Sequence, residues 1–328
     1  MTDSPTNQVL DAIAARRAER RNFLRYAGGA TVAAGGLSLL AACGGDGNDT
    51  VTPTPTPTAT TGVSDIDTLN FALNLEYLEA QFYNFAAFGA GLAATYTTGA
   101  GTLGTTTGGA AVTFNDPLVA QYAREIALDE AQHVLFLRTT LGGAAVAMPA
   151  INIAGDATGA FTAAARASGA IGANDVFNPY ASDENFLLAA YLFEDVGVSA
   201  YKGAAPLINS KIYLEAAAGI LAAESYHAGL IRSVLYRKGI ETPTPSLLTI
   251  AQQISDARDS LDGSTDIDQG IGDATTANIV PTDANGIAYS RSTGQVLNIV
   301  YLNKAAVGSG GFFPSGLNGN VRTSAASG

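Results

Sequence analysis

The chain contains two histidines, and each follows a glutamate by three residues, in Glu130-Ala-Gln-His133 and Glu224-Ser-Tyr-His227. On an α-helix, residues three apart share a face, about 5–6 Å apart at Cβ. Each pair can therefore offer one carboxylate and one imidazole to the same point. That mix of oxygen and nitrogen donors suits divalent iron or manganese and does not choose between them. Two Glu-x-x-His motifs on two helices, with one glutamate from each of two more, form the donor set with which four-helix bundles hold two such ions. Glutamate is scarce, ten among 328 residues, so composition does not account for the repeated spacing.

Four stretches have the apolar periodicity needed to position such donors. The first is predicted over residues 67–88, with Ser64 or Asp67 as N-cap and Gly89 as its stop. The second runs over 116–141, where Asp116-Pro117 supplies a cap and a favoured first-turn proline and Gly142-Gly143 a terminator. The third starts after Ser182 and ends near Ala205, and the fourth runs over 211–238 and stops at Gly239. A Gly/Thr-rich loop of residues 89–115 and a short turn at 206–210 pair helices one with two and three with four, antiparallel. The stretch from Gly142 to Ala181 is long enough to cross the bundle and holds a short Ala-rich helix over 162–167. Loops this long fit a compact domain only if they cover it.

Helix three has one interior glutamate, Glu194, followed seven residues later by Tyr201; Glu76 on helix one is followed likewise by Tyr83. Seven residues is close to two turns, so each tyrosine is expected near its own glutamate's face, in reach of the site. The match selects Glu76 as the counterpart of Glu194 and leaves Glu79, whose equivalent is Gly197, as an accessory carboxylate. Leu73 and Ala80, Ala123, Ile126 and Leu137, Val198, and Ile220 and Ile231 lie one turn or so from these groups, so the carboxylates share the apolar stripe. Burying them uncompensated would be severely destabilising. Two divalent cations would balance four carboxylates.

The stretches Asn70-Phe-Ala-Leu-Asn-Leu-Glu-Tyr-Leu-Glu-Ala-Gln-Phe-Tyr83 and Phe193-Glu-Asp-Val-Gly-Val-Ser-Ala-Tyr-Lys-Gly-Ala204 resemble the ferritin-like domain family that includes the plant desiccation-related proteins. So do Ala223-Glu-Ser-Tyr-His-Ala228, Tyr289-Ser-Arg-Ser-Thr-Gly-Gln-Val-Leu-Asn-Ile-Val-Tyr301 and Gly310-Gly-Phe-Phe-Pro-Ser-Gly-Leu-Asn-Gly319. The resemblance spans residues 65–320. It implies an all-α, ferritin-like antiparallel four-helix bundle with a long crossover between helices two and three. It also implies Glu76, Glu130, His133, Glu194, Glu224 and His227 as ligands of two divalent metal ions. Asp129 gives Asp-Glu-x-x-His, as in bacterial di-iron oxygenases, where the aspartate resembles an acceptor that orients a ligand histidine. Asp195 is a comparable candidate beside Glu194. Unlike rubrerythrins, the chain has no Cys-x-x-Cys iron centre to feed electrons in.

Outside the bundle of residues 64–240 the sequence changes character. Residues 1–42 read as an export signal: Arg20-Arg21, an apolar Gly/Ala-rich stretch, then Leu-Ala-Ala-Cys43. Cys43, the only cysteine, is the candidate lipidation site, and its uniqueness excludes disulfides and Cys-based redox centres. Residues 43–63 form a Thr/Pro-rich tether. Removing residues 1–42 takes away five Arg and three Asp/Glu and moves the net charge from −12 to −14, which disfavours nucleic acid or an anionic membrane as partner. Contact with a membrane is expected only through a lipid on Cys43, in the periplasm or cell envelope, and the chain can form homo-oligomers. Residues 241–328 form an extension packed on the bundle, with a helix over 246–261 and a shorter one over 293–301. Asp262, Asp266, Asp268 and Asp273 have no EF-hand spacing and read as a solvated acidic loop.

Two functional readings follow. In one, the metal pair reacts with peroxide or O2, as a catalase or ferroxidase, with Tyr83 and Tyr201 hydrogen-bonding bound oxygen species or being oxidised. In the other, the metal is structural and the protein serves stress protection or metal sequestration. A metal-free helical interaction module would require the six donors to be coincidental.

Overall fold

A computed structural model describes residues 62–242 and 246–327. The signal, Cys43 and nearly all of the tether lie outside the described residues.

Four long helices carry the donors: α1 (Asp65–Phe88), α2 (Pro117–Leu141), α4 (Asp183–Ala204) and α5 (Lys211–Glu241). Each starts where a short polar side chain caps it. Ser64 forms a capping box with Asp67, and Asp116, Ser182 and Ser210 accept from the backbone amides of the first turns. Such caps stabilise a helix by about 1 kcal/mol each. Gly89 stops α1 in the left-handed conformation, at φ 71°. Gly239, expected as the stop of the fourth helix, lies within α5 instead. Its missing side chain serves packing, because a Cβ there would sit 2.9 Å from Leu248 of the next helix, α6 (Leu247–Asp262).

Asn84 Nδ2 donates to Ala127 O at 3.1 Å, tying the end of α1 to α2, and Lys238 Nζ meets Glu184 Oε1 at 3.0 Å, tying the end of α5 to the start of α4. Both pairs are antiparallel. Contacts of Tyr83 with Glu194 and of Tyr201 with Glu76 make α1 antiparallel to α4 as well. Hence α2 and α4 run the same way, which is the geometry that the long crossover of residues 142–182 permits. The short helix α3 (Ala160–Ala167) lies on that crossover.

The two long loops zip together, an arrangement missed by helical periodicity. Strand β1 (Thr106–Gly108) pairs in parallel with β2 (Ile151–Ile153) of the crossover. Gly104 is needed beside them, since a Cβ there would lie 2.1 Å from Ala150 N. The loops thus cover the bundle, which accounts for their length.

Helix α1 is the centre of the molecule, with every residue from Thr68 to Asn84 buried. A helix buried on all sides needs partners all round. Besides α2 and α4, it meets the crossover and the C-terminal segment through two amides. Asn70 donates to Ala144 O and accepts from Val146 N, both at 3.0 Å; Asn74 donates to Asn318 O at 2.9 Å and accepts from Asn318 N at 3.1 Å. In the extension, α6 and α7 (Thr293–Val300) pack on α4 and α5. Asp262 and Asp268, expected in a solvated loop, are buried against Arg291 and Arg258. Only Asp266 and Asp273 of that set face solvent. No helix among the described residues is long and apolar enough to cross a membrane.

Candidate metal centre

Midway along the bundle, the four helices bring Glu76, Glu130, His133, Glu194, Glu224 and His227 together. Glu76, Glu130, His133 and Glu224 form one group whose donor atoms lie within 4.8 Å of one another, and Glu130, Glu194 and His227 form a second. Glu130 belongs to both. His133 Nδ1 lies 3.2 Å from Glu76 Oε2, 3.4 Å from Glu130 Oε2 and 3.7 Å from Glu224 Oε1. His227 Nδ1 lies 3.1 Å from Glu130 Oε1 and 3.6 Å from Glu194 Oε2. The imidazole centroids are 6.2 Å apart.

The apolar stripe foreseen around these groups is buried at Leu73, Ala80, Ala123, Ile126, Leu137, Ile220 and Ile231; Val198 is half-buried. Inside this shell, Glu76 Oε2, Glu194 Oε2, both oxygens of Glu130 and of Glu224, and Nδ1 of both histidines have no hydrogen-bond partner among the described residues. Unsatisfied buried polar atoms are rare and costly. Here one or more of these atoms from each residue converge in the two donor groups, and their chemistry, carboxylate oxygen and imidazole nitrogen, is that of a di-metal carboxylate site. The residues therefore fit a pair of divalent ions.

The outward atoms are held. Tyr83 Oη donates to Glu194 Oε1 at 2.5 Å, and Tyr201 Oη donates to Glu76 Oε1. The tyrosines are crossed with respect to the sequence expectation: each serves the glutamate of the opposite helix. Antiparallel packing of α1 on α4 causes this, because the residue two turns beyond each glutamate lies level with the other. Asp129 Oδ2 stands 3.5 Å from His227 Nε2, on the far side of the ring from the centre. It faces the histidine of the other motif, not that of its own.

Asp195 does not face either histidine. Adjacent helical residues point about 100° apart, so Asp195 turns outward while Glu194 turns in. Its Oδ2 accepts from Arg232 Nη1 and Arg258 Nη2, each at 2.7 Å. Arg258 and Arg291 in turn bind Asp268, Arg291 also binds Asp262, and Arg258 lies over the Tyr191 ring at 4.6 Å from its centroid. This buried cluster of three arginines was not foreseen. The available signal was Arg232 itself, set among Ile231, Val234 and Leu235.

Burial dominates the acid–base character of the metal-free centre. It raises Glu76 to about 7 against the pull of His133, and raises Glu194. Glu224 is pushed well above the carboxylate range by burial and by Glu79 and Glu130. At Glu130 the two histidines outweigh burial and hold the carboxyl low. Both histidines are raised despite burial, His133 by Glu76 and Glu130 and His227 by Glu194 and Asp129. Glu79 is buried but falls in neither donor group; burial, then Glu130, Glu194 and Glu76, push it well above its ordinary value.

Fold and site together define an all-α protein built around a buried carboxylate–histidine centre that could hold metal. The chain belongs to the ferritin-like domain family, which it matches over residues 64–237. It is 31% identical over 280 residues to the Ferritin-like catalase Nec2 of Nesocodon mauritianus, covering 80% of this chain and 86% of that protein. It is 28% identical over 248 residues to the Desiccation-related protein PCC13-62 of Craterostigma plantagineum, covering 70% and 75% respectively. No solved structure matches it.

Proposed function

We propose that the protein holds two iron or manganese ions and disproportionates hydrogen peroxide. The inward donor atoms without hydrogen-bond partners carry this reading, supported by the similarity to a protein named a ferritin-like catalase. Glu76, Glu130, His133 and Glu224 would hold one ion and Glu130, Glu194 and His227 the other. The metal pair supplies two-electron redox cycling. Two molecules of peroxide give two of water and one of O2: one peroxide loses two electrons and two protons, and the other gains them.

The protein's own groups fix the donors and manage protons. Tyr83 and Tyr201 hold a proton against Glu194 Oε1 and Glu76 Oε1, which leaves each glutamate one free oxygen for the centre. Asp129 accepts at Nε2 of His227, selecting the tautomer whose Nδ1 is a free donor. The apolar shell limits water. The test is O2 release from peroxide by the metal-loaded protein. A rate no higher than that of a Glu130→Ala/His133→Ala variant overturns the catalytic reading.

The similarity to a desiccation-related protein favours a second reading, a non-catalytic protein of stress protection or metal sequestration. Metal-loaded protein that melts far above the metal-free form, yet turns over neither peroxide nor Fe(II) with O2, would establish it. In either role the protein is exported and lipid-anchored at Cys43 in this proposal; mass spectrometry of the mature N-terminus tests that step.

A further inference from the structure

Glu79 is a buried carboxyl that the two donor groups leave unused. It lines a small pocket of about 20 Å³ between α1, α4 and the C-terminal extension. Leu75, Leu78, Phe193 and Phe312 form most of the wall, and Tyr201 is its other polar side chain with an ionisable group. A cavity needs about 10–15 Å³ and at least two polar partners to hold a water molecule. Both conditions are met here.

The hydrogen-bonding pattern defines the occupant. Tyr201 spends its one proton on Glu76 Oε1, so its oxygen can only accept from a molecule in the cavity. Apart from Glu79 the wall carries no charged group, and an ion there would be costly unless that carboxylate paired with it. A neutral occupant that meets both side chains must carry a hydrogen-bond donor for Tyr201, and its other atoms can pair with Glu79. Gly197 opens the adjoining space: a Cβ at that position would fall 2.2 Å from Glu224 Oε2 and 3.5 Å from Glu79 Oε1. In the internal repeat, Gly197 is the position that corresponds to Glu79. One half of the repeat thus supplies a carboxyl and the other supplies the room beside it.

We propose that this cavity is a binding site for one neutral, water-sized hydroxylic molecule, water or hydrogen peroxide, held between Glu79 and Tyr201 and linked through Tyr201 to Glu76. The peroxide occupant rests on the catalytic reading above; the site itself does not. Glu79 is then a hydrogen-bonding wall and not a metal ligand.

The test is a crystal structure of the metal-loaded protein, with metal analysis of Glu79→Gln and Glu79→Leu variants. Expected are solvent density bridging Glu79 and Tyr201 and two metals per chain in both variants. The density should persist in Glu79→Gln and vanish in Glu79→Leu. Peroxide turnover, where the wild type shows it, should fall at least tenfold in Glu79→Leu. An empty cavity in the wild type overturns the proposal, and so does a loss of metal in Glu79→Gln, which would make Glu79 a ligand. If Glu79→Leu fails to fold, the wild-type density and the Glu79→Gln metal content still decide. Absence of wild-type turnover would count against the catalytic reading alone.

Discussion

Tyr83 on α1 donates its hydroxyl to Glu194 on α4 at 2.5 Å, while Tyr201 on α4 donates to Glu76 on α1. The two halves of the internal repeat therefore hold each other's glutamates, each tyrosine fixing the carboxylate of the opposite helix. Tyr83→Phe should leave Glu194 Oε1 buried without a donor, costing about 1–3 kcal/mol in the metal-free protein. It should weaken metal binding beside His227 and spare the position beside His133. Tyr201→Phe should do the reverse. Metal titration of the two variants checks this; weakening on the same side in both would refute the crossed assignment.

Glu130 is the carboxylate common to both donor groups. Glu130→Ala should abolish binding at both positions, whereas Glu194→Ala should leave about one metal per chain. Elemental analysis after loading and desalting distinguishes the two, and one retained metal in Glu130→Ala would contradict the shared role.

The metal-free centre should lose stability as pH rises. Glu76 stands at about 7 and Glu224, Glu79 and Glu194 are also raised, so the folded state binds more protons than the unfolded chain above about pH 4.5. Stability from these groups is present below the unfolded value and declines through about 7. Glu130, held low by the histidines, titrates below this window and leaves the decline unchanged. Loading the centre should release protons and remove the decline. Thermal melts of both forms at pH 5 and 7.5 measure it; a metal-free protein that melts higher at 7.5 would reverse the sign.

The arginine cluster should matter for stability independently of metal. Asp195→Ala leaves Arg232 and Arg258 buried without their shared carboxylate, and breaking a buried ion pair from one side costs about 3–5 kcal/mol. Denaturant unfolding of the metal-free protein reads the loss directly. A change below about 1 kcal/mol would mean that solvent or Asp268 compensates.

Much of the site was legible because its geometry is local to helices. Three-residue spacing alone places Glu130 with His133 and Glu224 with His227, and the matched tyrosines pick Glu76 over Glu79. What spacing cannot supply is the partner across the bundle. A seven-residue interval puts Tyr83 on the face of Glu76, but the antiparallel approach of α4 determines that Glu194 receives its proton. The same holds for Asp195, where one residue's rotation separates a metal-facing carboxylate from an ion-paired one. Strands β1 and β2 were invisible for a related reason: three residues carry no period, and their pairing joins loops 45 positions apart, from Thr106 to Ile151. Gly239 reads as a stop in isolation and as a packing site only once α6 is placed.

Asn74, on the helix that bears Glu76, is paired through both amide atoms with the backbone of Asn318, 244 residues later. The buried helix α1 is therefore finished by a segment far downstream. During synthesis, α1 must wait for the 244 residues that lead to Asn318 before this face is covered. The domain closes only after its C-terminal segment leaves the ribosome. A nascent chain stalled short of Asn318 keeps this face of α1 exposed.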